Sequence, residues 1–236
     1  VLITGGAGFI GSSLAKITHQ QGWDVTILDN LSTGLQSTAN ELEKLGIKVI
    51  IGDIRDQGLL HNTLTGFTAV VHLAAQVSVP VSVKNPEETM EINVKGTQNV
   101  IQACLENSVQ RLVIASSAAV YGEADNLPLK EEDAGNVLSP YADSKWANEQ
   151  QIFDARQQGL QATALRFFNV YGAGQRPDGA YAAVIPKFAD MMAKGVAPKI
   201  NGDGLHTRDF VHVGDVCNAI MTLVDGEWKA EQHHVY

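Results

Sequence analysis

The chain contains few of the residues typical of metal-binding, disulfide-stabilised or nucleic-acid-binding proteins. It has two cysteines in 236 residues, Cys104 and Cys217, which are too few for a disulfide framework, so a reducing cytoplasmic environment is expected. Its seven histidines show no ligand spacing, and no metal site is predicted. The formal net charge is −9 and lysine and arginine form no cluster. Nucleic-acid binding needs a basic patch, so no nucleic-acid partner is expected.

Long apolar runs and a leader peptide are also missing, so no membrane association is predicted. Apolar residues still make up 44% of the chain, which is enough for a substantial core. A length of 236 residues suits one large domain, or one domain with a small lobe. The chain begins without Met on an apolar run and ends in a strand-like sequence at Val235-Tyr236, so we expect it to be part of a longer protein.

The first residues combine an apolar strand, a glycine-rich turn and the start of a helix. Val1 to Ile3 suit a buried strand, and an apolar helix is predicted from about Phe9. The glycines between them are Gly5, Gly6, Gly8 and Gly11. Glycines at such positions allow a tight turn, close approach of a pyrophosphate and close packing of the helix on the strand. Because a helix N-terminus presents free N–H groups to phosphate, this pattern predicts a dinucleotide site.

An acidic residue follows the glycine turn at the distance that dinucleotide binding requires. Asp29 ends a second apolar run, 25–28, and lies eighteen positions after Gly11. Its carboxylate can accept hydrogen bonds from ribose hydroxyls and would repel a 2′-phosphate, which favours NAD over NADP. The alternative is a solvated turn aspartate before Asn30. The neighbouring glycine turn favours the nucleotide interpretation.

Apolar runs alternate with helical patterns along the first two thirds of the chain. The predicted strands are 1–4, 24–29, 47–51, 69–73, 111–116 and 161–166, and the predicted helices lie near 9–21, 38–45, 56–64, 87–107 and 140–158. This alternation predicts an α/β fold with a Rossmann-type, doubly wound parallel sheet, and a ligand at the carboxyl ends of the strands. We expect the NAD-binding domain over 1–166. Substrate-binding segments over 167–236 should form a small C-terminal lobe, incomplete in this chain, with part of 210–236 packing back on the sheet.

A tyrosine and a lysine in the segment Ser139-Pro-Tyr-Ala-Asp-Ser-Lys145 form a candidate catalytic pair. Tyr141 and Lys145 are four residues apart, so they share one face of a helix whose first turn accommodates Pro140. A phenol with a pKa of about 10 is a poor base, but a nearby ammonium and an oxidised nicotinamide ring would lower that pKa. Tyr141 could then accept a proton from a hydroxyl as hydride leaves the same carbon. The alternative is a half-buried aromatic beside a solvated lysine.

Two serines follow the apolar strand 111–114, at the edge of the sheet where the ligand is expected. A hydroxyl there could hydrogen-bond the reacting oxygen and relay its proton to Tyr141. We favour Ser117 for this role and keep Ser116 as the competitor. Both serines could instead satisfy backbone groups at the strand end.

These motifs together resemble the extended short-chain dehydrogenase/reductase family, and within it the NAD-dependent nucleotide-sugar epimerases and dehydratases. The resemblance covers nearly the whole chain. Further matching segments are 28–34, 52–56, 72–76, 93–97, 165–172 and 202–212. The order and spacing of the set make it specific.

The resemblance implies NAD as the cofactor and assigns it a set of residues. In this set Asp53 and Ile54 flank the adenine, 73–75 pass the pyrophosphate and nicotinamide ribose, Asn93 supports the fifth strand, and Phe168 packs near the nicotinamide. The full cofactor set is Gly5, Gly8, Phe9, Ile10, Gly11, Asp29, Asn30, Ser32, Gly34, Asp53, Ile54, Leu73, Ala74, Ala75, Asn93, Tyr141, Lys145 and Phe168. The implied substrate set is Ser117, Asn169, Pro186, Lys187 and Arg208, with a UDP-sugar as the ligand.

The resemblance also separates the reactions within the family. Sugar 4,6-dehydratases carry Asp-Glu directly after the hydroxyl residue, whereas this chain has Ala118 and Ala119, which cannot transfer protons. The expected reaction is therefore 4-epimerisation of a UDP-hexose through a 4-keto sugar. The alternatives are another enzyme of the family, such as a UDP-uronate epimerase, a 4-keto-sugar reductase or a dehydratase, and a non-catalytic NAD-binding regulator.

A homodimer is expected because relatives pair the helices near 87–107 and 140–158. Both helices carry apolar residues beyond the stripe that faces the sheet: Val94, Val100, Cys104, Trp146 and Ile152. The alternative is ordinary packing under neighbouring loops.

Overall fold

A parallel six-stranded sheet forms the centre of the protein in a computed structural model that describes residues 1–123, 127–178, 183–229 and 234–236. The strands are β1 (Leu2–Thr4), β2 (Thr26–Asp29), β3 (Lys48–Ile51), β4 (Ala69–His72), β5 (Arg111–Ser117) and β6 (Gln161–Phe167). Their order is β3-β2-β1-β4-β5-β6, and every neighbouring pair is parallel. The chain therefore reverses its winding direction between β1 and β4, and the predicted doubly wound α/β fold is confirmed.

Helices connect the strands and cover both faces of this sheet. They are α1 (Phe9–Gln20), α2 (Gln36–Lys44), α3 (Gln57–Leu64), α4 (Val79–Lys84), α5 (Pro86–Met90), α6 (Gly96–Glu106) and α7 (Pro140–Gln157). Successive strand residues face opposite sides, so Leu2 joins the core cluster beneath α3, α6 and α7, whereas Ile3 joins the cluster beneath α1 and α2. A π turn, Glu91–Lys95, separates α5 from α6 within the region predicted as one helix over 87–107.

The last third of the chain adds a small second sheet and two helices. The sheet pairs β7 (Asn169–Tyr171) with β8 (Phe210–His212), and the helices are α8 (Val184–Ala193) and α9 (Val213–Asp225). The predicted elements did not include β7, β8 or α8, whereas α9 contains Cys217, around which the sequence predicts a helix. Cys217 of α9 is buried in the core cluster that also contains Ile3. A domain boundary at 166/167 remains a prediction.

The end of the chain returns to the large sheet. Val235 forms a parallel bridge with Ala164 of β6, and Arg166 N donates to the Tyr236 carbonyl at 2.7 Å. These contacts extend the sheet beyond β6 by a short seventh segment.

Three of the five apolar residues that suggested a helix-paired dimer lie in the chain's own core. Val100, Cys104 and Ile152 are fully buried in the cluster beneath α6 and α7. Their side chains therefore offer no surface to a second copy, and the argument for a dimer from these three residues was wrong. Within the described ranges, no helix has both the length and the apolar character needed to cross a membrane.

Candidate active site

The N-terminus of α7 places Tyr141 beside the carboxyl end of β5. Ser139 caps the helix by accepting the N–H of Ala142 at 3.1 Å, and Pro140 fills the first helical position. The N–H of Tyr141 donates to the hydroxyl of Ser82 in α4 at 3.1 Å, and Ser82 is fully buried. Both contacts fix the backbone that carries the phenol.

The side chain of Ser117, the last residue of β5, lies near the Tyr141 phenol and influences its pKa. The Ser117 hydroxyl also accepts the N–H of Ala119 at 3.2 Å, so its proton is free to point at the phenol. Burial raises the pKa of Tyr141 above its usual value, and the interaction with Ser117 opposes this only in part. The direction is opposite to the lowering that the sequence led us to expect from Lys145.

Lys145 is buried one helical turn beyond Tyr141, with 5% of its surface exposed. Its Nζ donates to the Ala115 carbonyl at 2.8 Å. Burial lowers the pKa of Lys145 to about 8, and the negative charge of Glu149 opposes this shift. The lysine is therefore mostly protonated at neutral pH.

The two candidate serines face different partners. Ser116 is buried and donates its hydroxyl to the carboxylate of Glu149, away from the phenol. Ser117 is the one that contacts Tyr141. The geometry therefore favours Ser117 over Ser116 as the hydroxyl that serves the reacting group.

The glycine turn forms an open cradle at the N-terminus of α1. Gly8 is the N-cap residue, and among the described residues no side chain caps this helix end. A Cβ on Gly5 would lie 2.7 Å from the Ala74 nitrogen, and one on Gly11 would lie 2.3 Å from the Gly5 carbonyl oxygen. A Cβ on Gly8 would meet only the Gly5 oxygen, at 3.2 Å. The N–H groups that open α1, at Phe9 and Ile10, thus border open space, which fits a pyrophosphate.

Asp29 lies at the edge of this cradle and is held by backbone donors. Its carboxylate oxygens accept the N–H of Ala7 at 2.9 Å and of Leu31 at 2.8 Å. Gly34 packs so closely that a Cβ there would lie 3.0 Å from the Asp29 Oδ1. Both carboxylate oxygens keep further lone pairs, so the residue can still accept the ribose hydroxyls of a nucleotide.

A polar group next to Asp29 joins three more residues of the predicted cofactor set. Asn30 donates to Asp53 at 2.9 Å and accepts the N–H of Ser32 at 3.0 Å. Arg55 binds both carboxylate oxygens of Asp53, at 2.9 and 2.7 Å, and this contact holds the pKa of Asp53 well below its usual range. Sequence reasoning missed Arg55, although it lies in the matching segment 52–56. Ile54 instead points into the core, where it packs on Gly96.

The segment after β4 is tied to the glycine turn. The N–H groups of Leu73 and Ala74 donate to the carbonyl and the hydroxyl of Thr4, at 3.1 and 3.3 Å, and Ala75 follows them. His72 lies beneath, with its ring nitrogens 2.7 Å from the Thr4 hydroxyl and 2.9 Å from the Thr97 hydroxyl. Burial, assisted by the charge of Lys145, lowers the pKa of His72 to about 3, so the ring is neutral.

Asn93 connects this segment to α7 from within the π turn. Its side chain exchanges two hydrogen bonds with the backbone of Gln76, at 2.8 and 2.9 Å, and donates to Ser144 at 2.9 Å. Asn148 donates to the Asn93 carbonyl at 2.9 Å. Asn93 therefore links the π turn both to the segment after β4 and to α7.

The other five residues predicted for the nicotinamide and the substrate lie in the last third of the chain. The Phe168 ring lies 6.0 Å from the ring of Tyr121, and Asn169 donates to the Asp209 carbonyl at 2.8 Å. Arg208 is exposed and donates to the neighbouring Thr207 carbonyl. Pro186 and Lys187 lie in the first turn of α8. Within the described part of the chain, no hydrogen bond joins these five residues to Ser117, Tyr141 or Lys145, so their roles stay predictions.

Sequence reasoning also missed a buried ion pair beneath the site. Glu149 and Arg166 are paired at 2.8 Å, and their side chains are 1% and 4% exposed. The available signal was spacing, because Glu149 follows Lys145 by the same four residues that separate Lys145 from Tyr141.

Comparison with known proteins places relatives along the whole chain. Residues 1–236 match the model of the NAD dependent epimerase/dehydratase family. A UDP-N-acetylglucosamine 4-epimerase from Methanobrevibacter ruminantium, solved with UDP-N-acetylmuramic acid, is 37% identical with a TM-score of 0.91, over 97% of this chain and 73% of that one. The UDP-glucose 4-epimerase of Thermus thermophilus, solved with NAD, is 36% identical with a TM-score of 0.87, over 100% of this chain and 76% of that one. A UDP-N-acetyl-alpha-D-glucosaminuronate decarboxylase of Bacillus cytotoxicus is 35% identical over 236 residues, 98% of this chain and 72% of that protein.

Proposed function

Because the chain belongs to the NAD dependent epimerase/dehydratase family, with NAD as its cofactor, we propose that it interconverts the two C4 configurations of a UDP-hexose. The substrates we propose are UDP-glucose and UDP-galactose or their N-acetylated forms, and the intermediate is a 4-keto sugar. UDP-sugar 4-epimerases among the solved relatives support this choice.

The observation that carries the proposal is the Ser117–Tyr141 contact with Lys145 buried one turn away. Tyr141 accepts the proton of the C4 hydroxyl and returns it when the C4 carbonyl is reduced. Ser117 stabilises the charged phenol by donating a hydrogen bond to it. When bound, NAD supplies the hydride acceptor and then the hydride donor, and its positive ring is expected to lower the pKa of Tyr141 that burial raises.

The chain's own residues fit the cofactor. The open N-terminus of α1 suits the pyrophosphate, and the backbone-held carboxylate of Asp29 suits the ribose hydroxyls. The carboxylate also disfavours a 2′-phosphate, which supports NAD over NADP.

Ala118 and Ala119 favour epimerisation over dehydration. They begin the 3-10 turn that follows β5, directly after Ser117. Their methyl groups cannot protonate a leaving hydroxyl, so the site lacks the acid that water elimination requires at these positions. The presence of both Tyr141 and Lys145 also argues against a non-catalytic NAD-binding regulator, and the carboxylate of Asp29 argues against a reductase that uses NADPH.

A homodimer and a cytoplasmic location are the two remaining parts of the proposal. Sedimentation of the purified protein tests the first, and a mass of one chain would contradict it. Immunofluorescence or cell fractionation tests the second.

The decisive experiment for the reaction is incubation with UDP-glucose, UDP-N-acetylglucosamine and UDP-glucuronate separately, with the products resolved by NMR. We expect the C4 epimer of one of the first two, with a transient rise in absorbance in the NADH band. Loss of water or CO2 from the sugar, or conversion of UDP-glucuronate alone, would replace the proposal with a neighbouring reaction.

A further inference from the structure

Three consecutive residues at the end of β5 each contact one residue of α7. The Ala115 carbonyl accepts Lys145 Nζ at 2.8 Å, Ser116 donates to the carboxylate of Glu149, and Ser117 lies near the phenol of Tyr141. The three α7 residues are spaced by four, so they share one face of the helix. Glu149 is therefore the third residue on this face of α7, after the proposed catalytic residues Tyr141 and Lys145.

Glu149 is fully committed to partners inside the protein. Arg166 Nε and Nη2 bind its two carboxylate oxygens at 2.9 and 2.8 Å. The remaining guanidinium nitrogen donates to the Tyr121 hydroxyl at 3.0 Å and to the Glu131 carbonyl at 2.7 Å. A buried ion pair often contributes little net stability, because the cost of removing both charges from water offsets their attraction. The geometry that such a pair imposes is specific, however.

We propose that Glu149 is a positioning residue that fixes α7 against the end of β5 and holds a buried carboxylate one helical turn from Lys145. The importance of this role for catalysis rests on the function proposed above. The positioning of α7 does not depend on that function, because all of the contacts join residues of this chain.

The charges that face Lys145 decide the direction of the effect. His72 approaches from β4 and is neutral, Tyr141 lies on the same helix, and Arg166 enters from β6 on the carboxylate of Glu149. Burial lowers the pKa of Lys145 and Glu149 raises it. Without Glu149, the ammonium would keep the burial cost and gain an unbalanced cation in Arg166. Its pKa should therefore fall further.

The test is an NMR titration of 13C-labelled lysine in the cofactor-free protein without sugar nucleotide. The Lys145 resonance is identified by its loss in Lys145→Arg. In Glu149→Gln we expect the titration midpoint of Lys145 to move to lower pH by about one unit or more, which is a tenfold or larger change in proton affinity. Glu149→Asp keeps the charge and should hold the midpoint close to that of the wild type.

Glu149→Gln leaves Arg166 buried without a counter-charge and should therefore destabilise the fold. A second variant separates this effect from the effect on Lys145. Glu149→Gln combined with Arg166→Gln removes both charges and should give a midpoint between the wild type and the single variant. The matched control is Asp154→Asn, which removes a carboxylate from the exposed face of the same helix and should leave the midpoint unchanged.

An unchanged Lys145 midpoint in a folded Glu149 variant would overturn the proposal. Loss of the folded state in both Glu149→Gln variants would also overturn it, because the pair would then act on stability alone. If the midpoint moves as expected while the wild type converts no UDP-sugar, the proposed function fails and the role of Glu149 stands.

Discussion

At the scale of single residues, the site keeps a phenol and an amine away from water and controls their charge through their partners. Burial raises the pKa of Tyr141 and lowers that of Lys145, so it disfavours the charged form of both groups. One pKa unit corresponds to about 1.4 kcal/mol between protonation states. The interaction of Tyr141 with Ser117 and the charge of Glu149 beside Lys145 each oppose the effect of burial without outweighing it.

Tyr141→Phe removes the proposed acid and base without enlarging the side chain. Loss of such a group costs about 10²- to 10⁴-fold in rate, so we expect turnover of the UDP-sugar to fall by that factor. NAD binding should be largely retained, because the cradle at α1 is unchanged. Steady-state kinetics and a cofactor titration measure the two effects.

Tyr171→Phe is the matched control, since Tyr171 is a partly buried tyrosine of β7. Turnover by Tyr141→Phe at the rate of this control would contradict the mechanism.

His72 should make the free energy of unfolding depend on pH in the acidic range. Its pKa is about 3 in the folded protein and near 6.5 when exposed, so between these pH values the unfolded chain binds one more proton. The free energy of unfolding should therefore fall as pH decreases from about 6.5 to about 3, by on the order of 1.4 kcal/mol per pH unit from this residue. Urea unfolding at several pH values measures the slope.

His72→Gln should flatten this slope, because Gln carries no proton that can titrate. The same substitution at exposed His206 should leave the slope close to that of the wild type. Equal slopes in the two variants would show that His72 is not the responsible group.

At the scale of elements, the sequence predicted the strands that are continuous apolar runs, but it did not predict the ten-residue helix α8. All six strands of the large sheet lie within one or two residues of their predicted bounds, since buried parallel strands are continuous apolar runs. The three-residue strands β7 and β8 and the six-residue α4 are too short to produce a periodic signal. Their boundaries depend on contacts between distant segments.

The residues of the candidate site also divide into those that the sequence predicted and those that only the fold reveals. Gly8, Tyr141 and Lys145 belong to motifs in which spacing carries the chemistry. Glu149 and Arg166 are charged residues that a sequence reading places on the surface, because only the fold shows that they pair inside the core.

The N-terminus of α1 offers a test of the cofactor cradle. Gly8 has φ −77° and ψ 176°, a conformation open to any residue, but an added Cβ would lie 3.2 Å from the Gly5 carbonyl oxygen. Because alanine is also a poor N-cap residue, Gly8→Ala should lower the free energy of unfolding by about 1 kcal/mol. The added methyl group would lie at the N-terminus of α1, where the phosphates are expected to bind. We expect the affinity for NAD to fall by about tenfold or more, which calorimetry measures, since a displaced phosphate loses its N–H contacts.

Gly58→Ala is the matched control, because Gly58 is exposed on α3 and an added Cβ would meet its nearest atom at 3.5 Å. Equal NAD affinities in the two variants would place the phosphates elsewhere.

At the scale of the whole molecule, the last third of the chain is tied to the large sheet at two places. Arg111, the first residue of β5, donates to the carbonyls of Leu223 and Val224 at the end of α9, at 3.1 and 2.9 Å. The final residues bond to Ala164 and Arg166 of β6. Residues far apart in sequence therefore share one core, and Arg166 connects that edge of the sheet to the ion pair beneath the site.

Val235→Thr tests whether this edge contributes to the stability of the entire protein. Val235 is 5% exposed and belongs to the core cluster beneath α6 and α7. Replacing one methyl group by a hydroxyl of similar size buries a polar group there, which costs about 1–3 kcal/mol. We expect the free energy of unfolding to decrease by that amount. Urea unfolding measures it, followed both by far-UV circular dichroism and by tryptophan fluorescence, which includes Trp146 of α7.

Val184→Thr is the matched control, because it makes the same change at an exposed position of α8 and should alter the free energy of unfolding by no more than about 0.5 kcal/mol. If the two probes shift together in Val235→Thr, the returning segment and the large sheet unfold as one unit. A midpoint shift confined to one probe, or equal stabilities of the two variants, would show that the end of the chain is held independently of the sheet.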